Sequence, residues 1–186
     1  MSNTLPYQEF RHQIKDGDIL LYRGTSLSAR IIRRFFDSPY THAGIVAWWN
    51  DRLMVMEAVE KGVIVTPLSE NLGRHHGGVD YFQCKVELPD GKRAAMVQFA
   101  QMQLGKEYNI WTLLASGLRV VLRLSLKDKD GSYKHPAGKY FCSQYVSDIY
   151  EQAGVDLNIE LNSTRTSPAA IAQSPLLSFH GVLKPD

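Results

Sequence analysis

Cysteine is scarce in this sequence. The 186 residues contain two, Cys84 and Cys142, too few for the disulfide framework of a small secreted domain. A lone thiol stays free in a reducing compartment, so the count favours the cytoplasm. A long uninterrupted apolar run is also missing. The one extended apolar stretch, Tyr108 to Leu126, carries Arg119 and Arg123. Two charges in mid-segment argue against a spanning helix and favour a buried or half-buried one, with peripheral membrane contact as the less common alternative. The opening residues MSNTLPYQEF have neither a basic start nor an apolar core, so they do not read as a signal peptide. Charge of one sign is not in excess. A net charge of +2 provides no bulk electrostatic case for nucleic acid. Basic residues cluster only locally, as at Arg30, Arg33 and Arg34.

What is present fits an ordinary globular chain, 44% hydrophobic and 22% charged. No repeat and no linker divides it, so residues 1–186 are expected to form a single domain. A short apolar strand is expected at Ile19 to Tyr22. A helix capped by Ser26 or Ser28 should follow, ending before Pro39. Three strands are expected between Asp37 and Val65, with turns at Asn50-Asp51 and Lys61-Gly62. "NLGRHHGG" reads as a flexible loop, and Val79 to Leu88 as a strand. A helix is expected from about Pro89 to Leu104, with Gly105 past its end. Further helices are expected at Asn109 to Leu126, Phe141 to Ala153 and within "TSPAAIAQSPLL", and a last strand near Phe179 to Leu183. Strands early and most helices late predict an α+β fold.

Two polar residues interrupt the apolar strand pair, His42 and Glu57. If Trp49 and Arg52 flank a two-residue turn, Gly44 faces Glu57 and His42 faces Val59. Those four side chains then share one face, because side chains alternate along a strand. His42 and Glu57 become diagonal neighbours, with Gly44 leaving room between them. A four-residue turn keeps this register, whereas a three-residue turn would turn Glu57 to the other face. A carboxylate on one imidazole nitrogen would orient the ring and stabilise its protonated form. Alone, the pair also fits a satisfied edge histidine beside a surface glutamate.

Cys142 stands in "AGKYFCSQYVSDIYEQAG", between two helix-breaking glycines. That puts the thiol in a first helical turn, where free N–H groups and the positive dipole end favour a thiolate. The same N–H groups suit an oxyanion. A core cysteine beside Tyr145 and Val146 is the plainer alternative. Cys84, in mid-strand within "YFQCKVE", reads as structural. His75 and His76 are adjacent and point apart, and no pair has metal-ligand spacing, so no metal and no cofactor are expected. "DKDG" at 128–131 lacks the other ligands of a calcium loop.

Taken together, "THAGIV", "MEAV", "GVIVTPL", "LGKEYN", "FCSQYVSDIYEQAG" and "SPAAIAQSPLL" resemble the YiiX-like family, permuted papain-fold proteins of the NlpC-type cysteine peptidase superfamily. The resemblance implies a circularly permuted papain-like fold, an antiparallel sheet or partial barrel packed against helices. It also implies residue roles: Cys142 as nucleophile, His42 as general base and Glu57 as the group that orients the histidine. Tyr40 and Tyr140 flank these positions and are expected near the substrate. The related lecithin retinol acyltransferase-like proteins use a second histidine as third member, so Glu57 draws this chain towards the YiiX-like branch. The expected activity is a thiol hydrolase or acyl transferase acting on an amide or ester. Its substrate would be a small peptide, an amino-acid derivative or an acyl lipid. The alternative is a binding module that keeps the pocket without turnover.

Overall fold

The computed structural model describes residues 3–106, 142–157 and 167–185. Tyr140, the expected helix at 109–126 and the "DKDG" loop lie outside them. Seven strands form one sheet: β1 (Thr4–Pro6), β2 (Ile19–Tyr22), β3 (His42–Trp49), β4 (Arg52–Val59), β5 (Gly62–Pro67), β6 (Val79–Cys84) and β7 (Leu177–Lys184). Their spatial order is β1-β7-β6-β2-β3-β4-β5. The helices are α1 (Tyr7–Phe10), α2 (Leu27–Phe36), α3 (Leu68–Arg74), α4 (Asp90–Met102), α5 (Cys142–Gln152) and α6 (Pro168–Gln173).

β2 lies in the middle of the sheet, and all four of its residues are buried. This is why its sequence, ILLY, is apolar on both faces rather than alternating. One face carries Ile19, Leu21, Ala43, Ile45, Met56 and Ala58, which pack with Tyr145, Val146 and Ile149 of α5 and with Met96 and Ala100 of α4. The other face carries Leu20, Tyr22, Val46, Leu53 and Val55, covered by Leu68 and Leu72 of α3 and by Tyr7 and Ile14. A helix-covered sheet of this kind is an α+β arrangement.

The β3–β4 hairpin turns through Asn50-Asp51, with Asn50 at φ +53°, a left-handed conformation that asparagine tolerates well. Trp49 pairs with Arg52 and Gly44 with Glu57, the register of the two-residue turn. His42 opens β3 and pairs across to Tyr22 of β2.

Three expectations need correction. The sheet is mixed: β1 lies parallel to β7, whereas the other pairs are antiparallel. A three-residue strand ending in proline carries too little period to be seen in sequence. The sheet is also open, with β1 and β5 at its edges, rather than curled into a partial barrel. Finally, the expected loop at "NLGRHHGG" begins inside α3, which runs to Arg74. Among the described residues, no helix is long and apolar enough to cross a membrane.

Gly44 has a structural reason. A Cβ built there would lie 3.2 Å from Val55 Cγ1, 3.3 Å from Glu57 Cβ and 3.3 Å from the Met56 carbonyl oxygen. Gly44→Ala should therefore overpack the hairpin and cost about 1–3 kcal/mol. At ~2–4 °C per kcal/mol for a chain of this size, the melting temperature should fall by several degrees in a calorimetric scan. An unchanged melting temperature would show that the hairpin absorbs the methyl group freely.

Candidate active site

β3 begins with His42 and β4 carries Glu57 five residues into the strand, so the register sets their side chains diagonally on one face. His42 Nε2 donates to Glu57 Oε2 at 2.7 Å. The other carboxylate oxygen, Oε1, accepts from Asn71 Nδ2 at 2.9 Å. Asn71 reaches it from α3, on the face that also buries Leu68 and Leu72. Glu57 is 4% exposed, so both oxygens need such partners.

The sulfur arrives from the opposite side of the sheet. The buried face of α5, Tyr145, Val146, Ile149 and Tyr150, recurs at helical spacing and anchors the helix on the sheet. Tyr145 donates its hydroxyl to the Ala100 carbonyl at 3.0 Å, and Tyr150 to the Gly17 carbonyl at 2.8 Å. This docking brings Cys142, in the first turn and 6% exposed, to the end of β3. There the thiol hydrogen-bonds to His42. Because Nε2 is taken by Glu57, Nδ1 is the ring nitrogen left for the sulfur. The backbone N–H groups of Ala43 and Ser143 also point at it. Sequence reasoning paired His42 with Glu57 through the strand register and joined Cys142 to them only through the family resemblance, and the fold brings the three side chains together.

The electrostatics follow from that chain. Burial pushes the Cys142 thiol up, but the positive charge and hydrogen bond of His42, with the Ala43 and Ser143 N–H groups, bring it below its ordinary value. Burial also works against charge on His42. The Cys142 charge and hydrogen bond, and then Glu57, outweigh it and raise His42 to about 10. Burial would raise Glu57, but His42, His75 and Asn71 hold it below the usual carboxylate range. The favoured state is an imidazolium held between a thiolate and a carboxylate. Cys84 is the opposite case. Burial raises its thiol, and nothing in the contacts around it compensates as His42 does for Cys142.

Several neighbours were not visible in the sequence. The Tyr22 ring stands between two histidines, 5.2 Å from His42 and 4.5 Å from His75 between centroids. Its hydroxyl is buried near Asn71, and burial with the Glu57 charge keeps it protonated. Asn71 could have been suspected, because it falls beside Leu68 and Leu72 on the helix face that the apolar spacing turns inward. Tyr40 is not free to move. Its hydroxyl donates to Asp80 Oδ2 at 2.7 Å, and its ring packs edge-on against Phe82. Asp80 also accepts from Arg23, through Nε at 3.2 Å and Nη2 at 2.6 Å. This clamp fixes the chain two residues before His42. Among the described residues, no group of three or more His, Cys, Asp or Glu side chains is arranged to hold a metal. His75 is half-buried against Tyr22, whereas its neighbour His76 is exposed.

Among curated proteins, none matches the chain significantly. A solved structure described as that of the metalloprotein yiiX from Escherichia coli O157:H7 is similar in fold. It has a TM-score of 0.67 and 21% sequence identity, and the match covers 93% of this chain and 99% of that one. The family described as "Permuted papain-like amidase enzyme, YaeF/YiiX, C92 family" matches residues 13–114. That span includes His42, Glu57 and Asn71 and stops short of Cys142, which the fold supplies from α5. The match takes in more than half of the sequence, and the chain belongs to this permuted papain-like amidase family.

Proposed function

We propose that the protein is a cysteine-dependent amide hydrolase in which Cys142 is the nucleophile, His42 the proton carrier and Glu57 the residue that positions His42. The observation that carries this reading is the unbroken contact chain from sulfur to imidazole to carboxylate, with the thiol lowered and the histidine raised. A buried core cysteine needs no such partners, and Cys84 has none of that kind.

The chemistry is written from these groups. The thiolate of Cys142 attacks the amide carbonyl carbon, and the carbonyl electron pair moves to oxygen. First-turn N–H groups of α5 would hold that oxyanion. When the carbonyl re-forms, the carbon–nitrogen bond breaks. The proton on His42 Nδ1 goes to the departing amine, leaving a thioester and a neutral imidazole. His42 then takes a proton from water as water attacks the thioester, and the acid and free thiolate are regenerated. In acyl transfer an amine takes the place of that water, and an ester can replace the amide. Glu57 keeps the ring aligned and stabilises the imidazolium that begins each cycle. Both cysteines are free, which suits a reducing compartment such as the cytoplasm.

Iodoacetamide at pH 6, followed by intact mass and peptide mapping, should label Cys142 much faster than Cys84. Equal rates at the two sites would remove the basis for a thiolate at Cys142. Against an amide substrate, kcat/KM should trace a bell. As pH rises through about 10, His42 loses the proton it must donate, and the rate should fall. As pH drops, Cys142 gains a proton, and this limb should lie below the ordinary thiol value of about 8.5.

Cys142→Ala and His42→Ala should each reduce kcat/KM by ~10³-fold or more. Glu57→Gln keeps a hydrogen bond but removes the charge. It should lower kcat at least about tenfold and move the alkaline limb to lower pH. A Glu57→Gln enzyme whose alkaline limb stays in place would show that the carboxylate charge does not govern His42.

A further inference from the structure

The cavity beside His42 has a composition that the triad does not explain. It has a volume of about 340 Å³, within the range of small-molecule pockets. Its wall includes Arg23, His42, Arg74, His75 and His76. Among the described residues, no aspartate or glutamate lines it. Cys142 does not line it either, so the cavity reaches His42 without reaching the sulfur.

That location has a chemical meaning. In amide cleavage the acyl half becomes attached to the nucleophile, while the amine half takes its proton from the general acid. A cavity touching His42 but not Cys142 is on the side of the amine half. This step rests on the reading of His42 given above.

The wall would favour an anion. The Arg23 side chain is 34% exposed over an Asp80 that is almost fully buried. Asp80 engages Nε and Nη2 of Arg23, and among the described residues Nη1 has no hydrogen-bond partner. A planar guanidinium held from behind presents a fixed donor edge to a ligand. Arg74 pairs with Glu70 at 3.0 Å, but the two side chains are 64% and 57% exposed. An exposed pair of this kind contributes little and is readily exchanged for a better-placed anion. The His75 and His76 rings add N–H donors. Close approach of backbone closes the far side: a Cβ on Gly77 would lie 1.6 Å from the Arg23 carbonyl oxygen, so only glycine fits there.

We propose that this cavity binds a carboxylate carried by the leaving group, so that the preferred substrates are amides whose amine half is an amino acid with a free carboxylate. Cleavage then proceeds as above: the carbon–nitrogen bond breaks, its electron pair stays on nitrogen, His42 supplies the proton, and the amino acid departs from the Arg23–Arg74 side.

Benzoylglycine and N-methylbenzamide make the comparison direct. They release the same benzoate and differ only in the carboxylate on the leaving amine. The wild-type enzyme should cleave benzoylglycine with kcat/KM roughly tenfold or more above N-methylbenzamide, as expected for a charge-assisted contact. In the double variant Arg74→Gln, His76→Gln the ratio should fall severalfold towards one. Equal kcat/KM for the two compounds, or a ratio that the double variant leaves intact, overturns the proposal while leaving the cysteine hydrolase standing. A binding measurement covers the case in which neither compound is cleaved. Calorimetric titration of Cys142→Ala with benzoylglycine should give saturable binding that the two further substitutions weaken, and absence of binding overturns the proposal. Binding to Cys142→Ala without any cleavage by wild type supports the carboxylate site and counts against the hydrolase reading instead.

Discussion

A carboxylate shut away from water beside an imidazole is the constraint on which this structure turns. Glu57 is buried among strands and under α3, where an isolated charge would be strongly unfavourable. Two hydrogen bonds offset that penalty, one from His42 at 2.7 Å and one from Asn71 at 2.9 Å. Neither partner can be moved far. A one-residue slip of β3 against β4 would send Glu57 to the α5 side and leave His42 without its anion. The side-chain alternation that makes the hairpin a good strand pair is therefore the same constraint that orients the imidazole.

The sulfur comes from a part of the chain 100 residues further on, and the fold has to deliver it without a covalent link. The apolar face of α5 does this by packing into the sheet core beside Ile45 and Met56. The two tyrosine hydroxyls at its middle and end find backbone carbonyls on α4 and on the turn before β2. A second polar cluster stiffens that turn. Asp18 is fully buried and accepts from Tyr81 and from Gln83 of β6, from the Lys15 N–H, and from Arg93 of α4 at 3.5 Å. A third, Arg23–Asp80–Tyr40, secures the approach to His42. Each buried carboxylate has its own set of donors, as a low-dielectric interior requires.

Much of this was legible in the residues because much of it is local. The Asn50-Asp51 turn and the alternation on either side set the β3–β4 register, and the register sets the His42–Glu57 diagonal. Gly154, at φ +75°, closes the helix that begins at Cys142, and the first-turn position of the thiol follows. The contrast between Cys142 and Cys84 was likewise visible in their surroundings. What stayed hidden depends on contacts between distant segments. α3 is a seven-residue helix without a side-chain cap, and its second half was read as the start of a loop. The strength of Asn71 lies in facing Glu57, which no local pattern records. β1 is held by its parallel pairing to β7 at the far end of the chain. Tyr40 was expected near the substrate from its place beside His42, and the Asp80 carboxylate that takes its hydroxyl comes from a strand forty residues later.

The order in which the three groups occur along the chain carries no mechanistic weight, whereas their charge count does. Before attack the site holds a thiolate, an imidazolium and a carboxylate. In the tetrahedral intermediate of the proposed reaction the sulfur would have lost its charge and the oxygen gained one, with the imidazolium and carboxylate unchanged. One negative charge moves a short distance within reach of the same helix terminus, and the number of buried charges stays constant. An environment already arranged to hold the thiolate is thus arranged for the oxyanion, with little reorganisation at the moment of reaction. A carboxylate on the leaving half would break that balance, because it adds an anion beside a site that already holds two. It needs cations outside the triad, and the guanidinium edge of Arg23, held from behind by Asp80, is placed on the flank of His42 where that need arises.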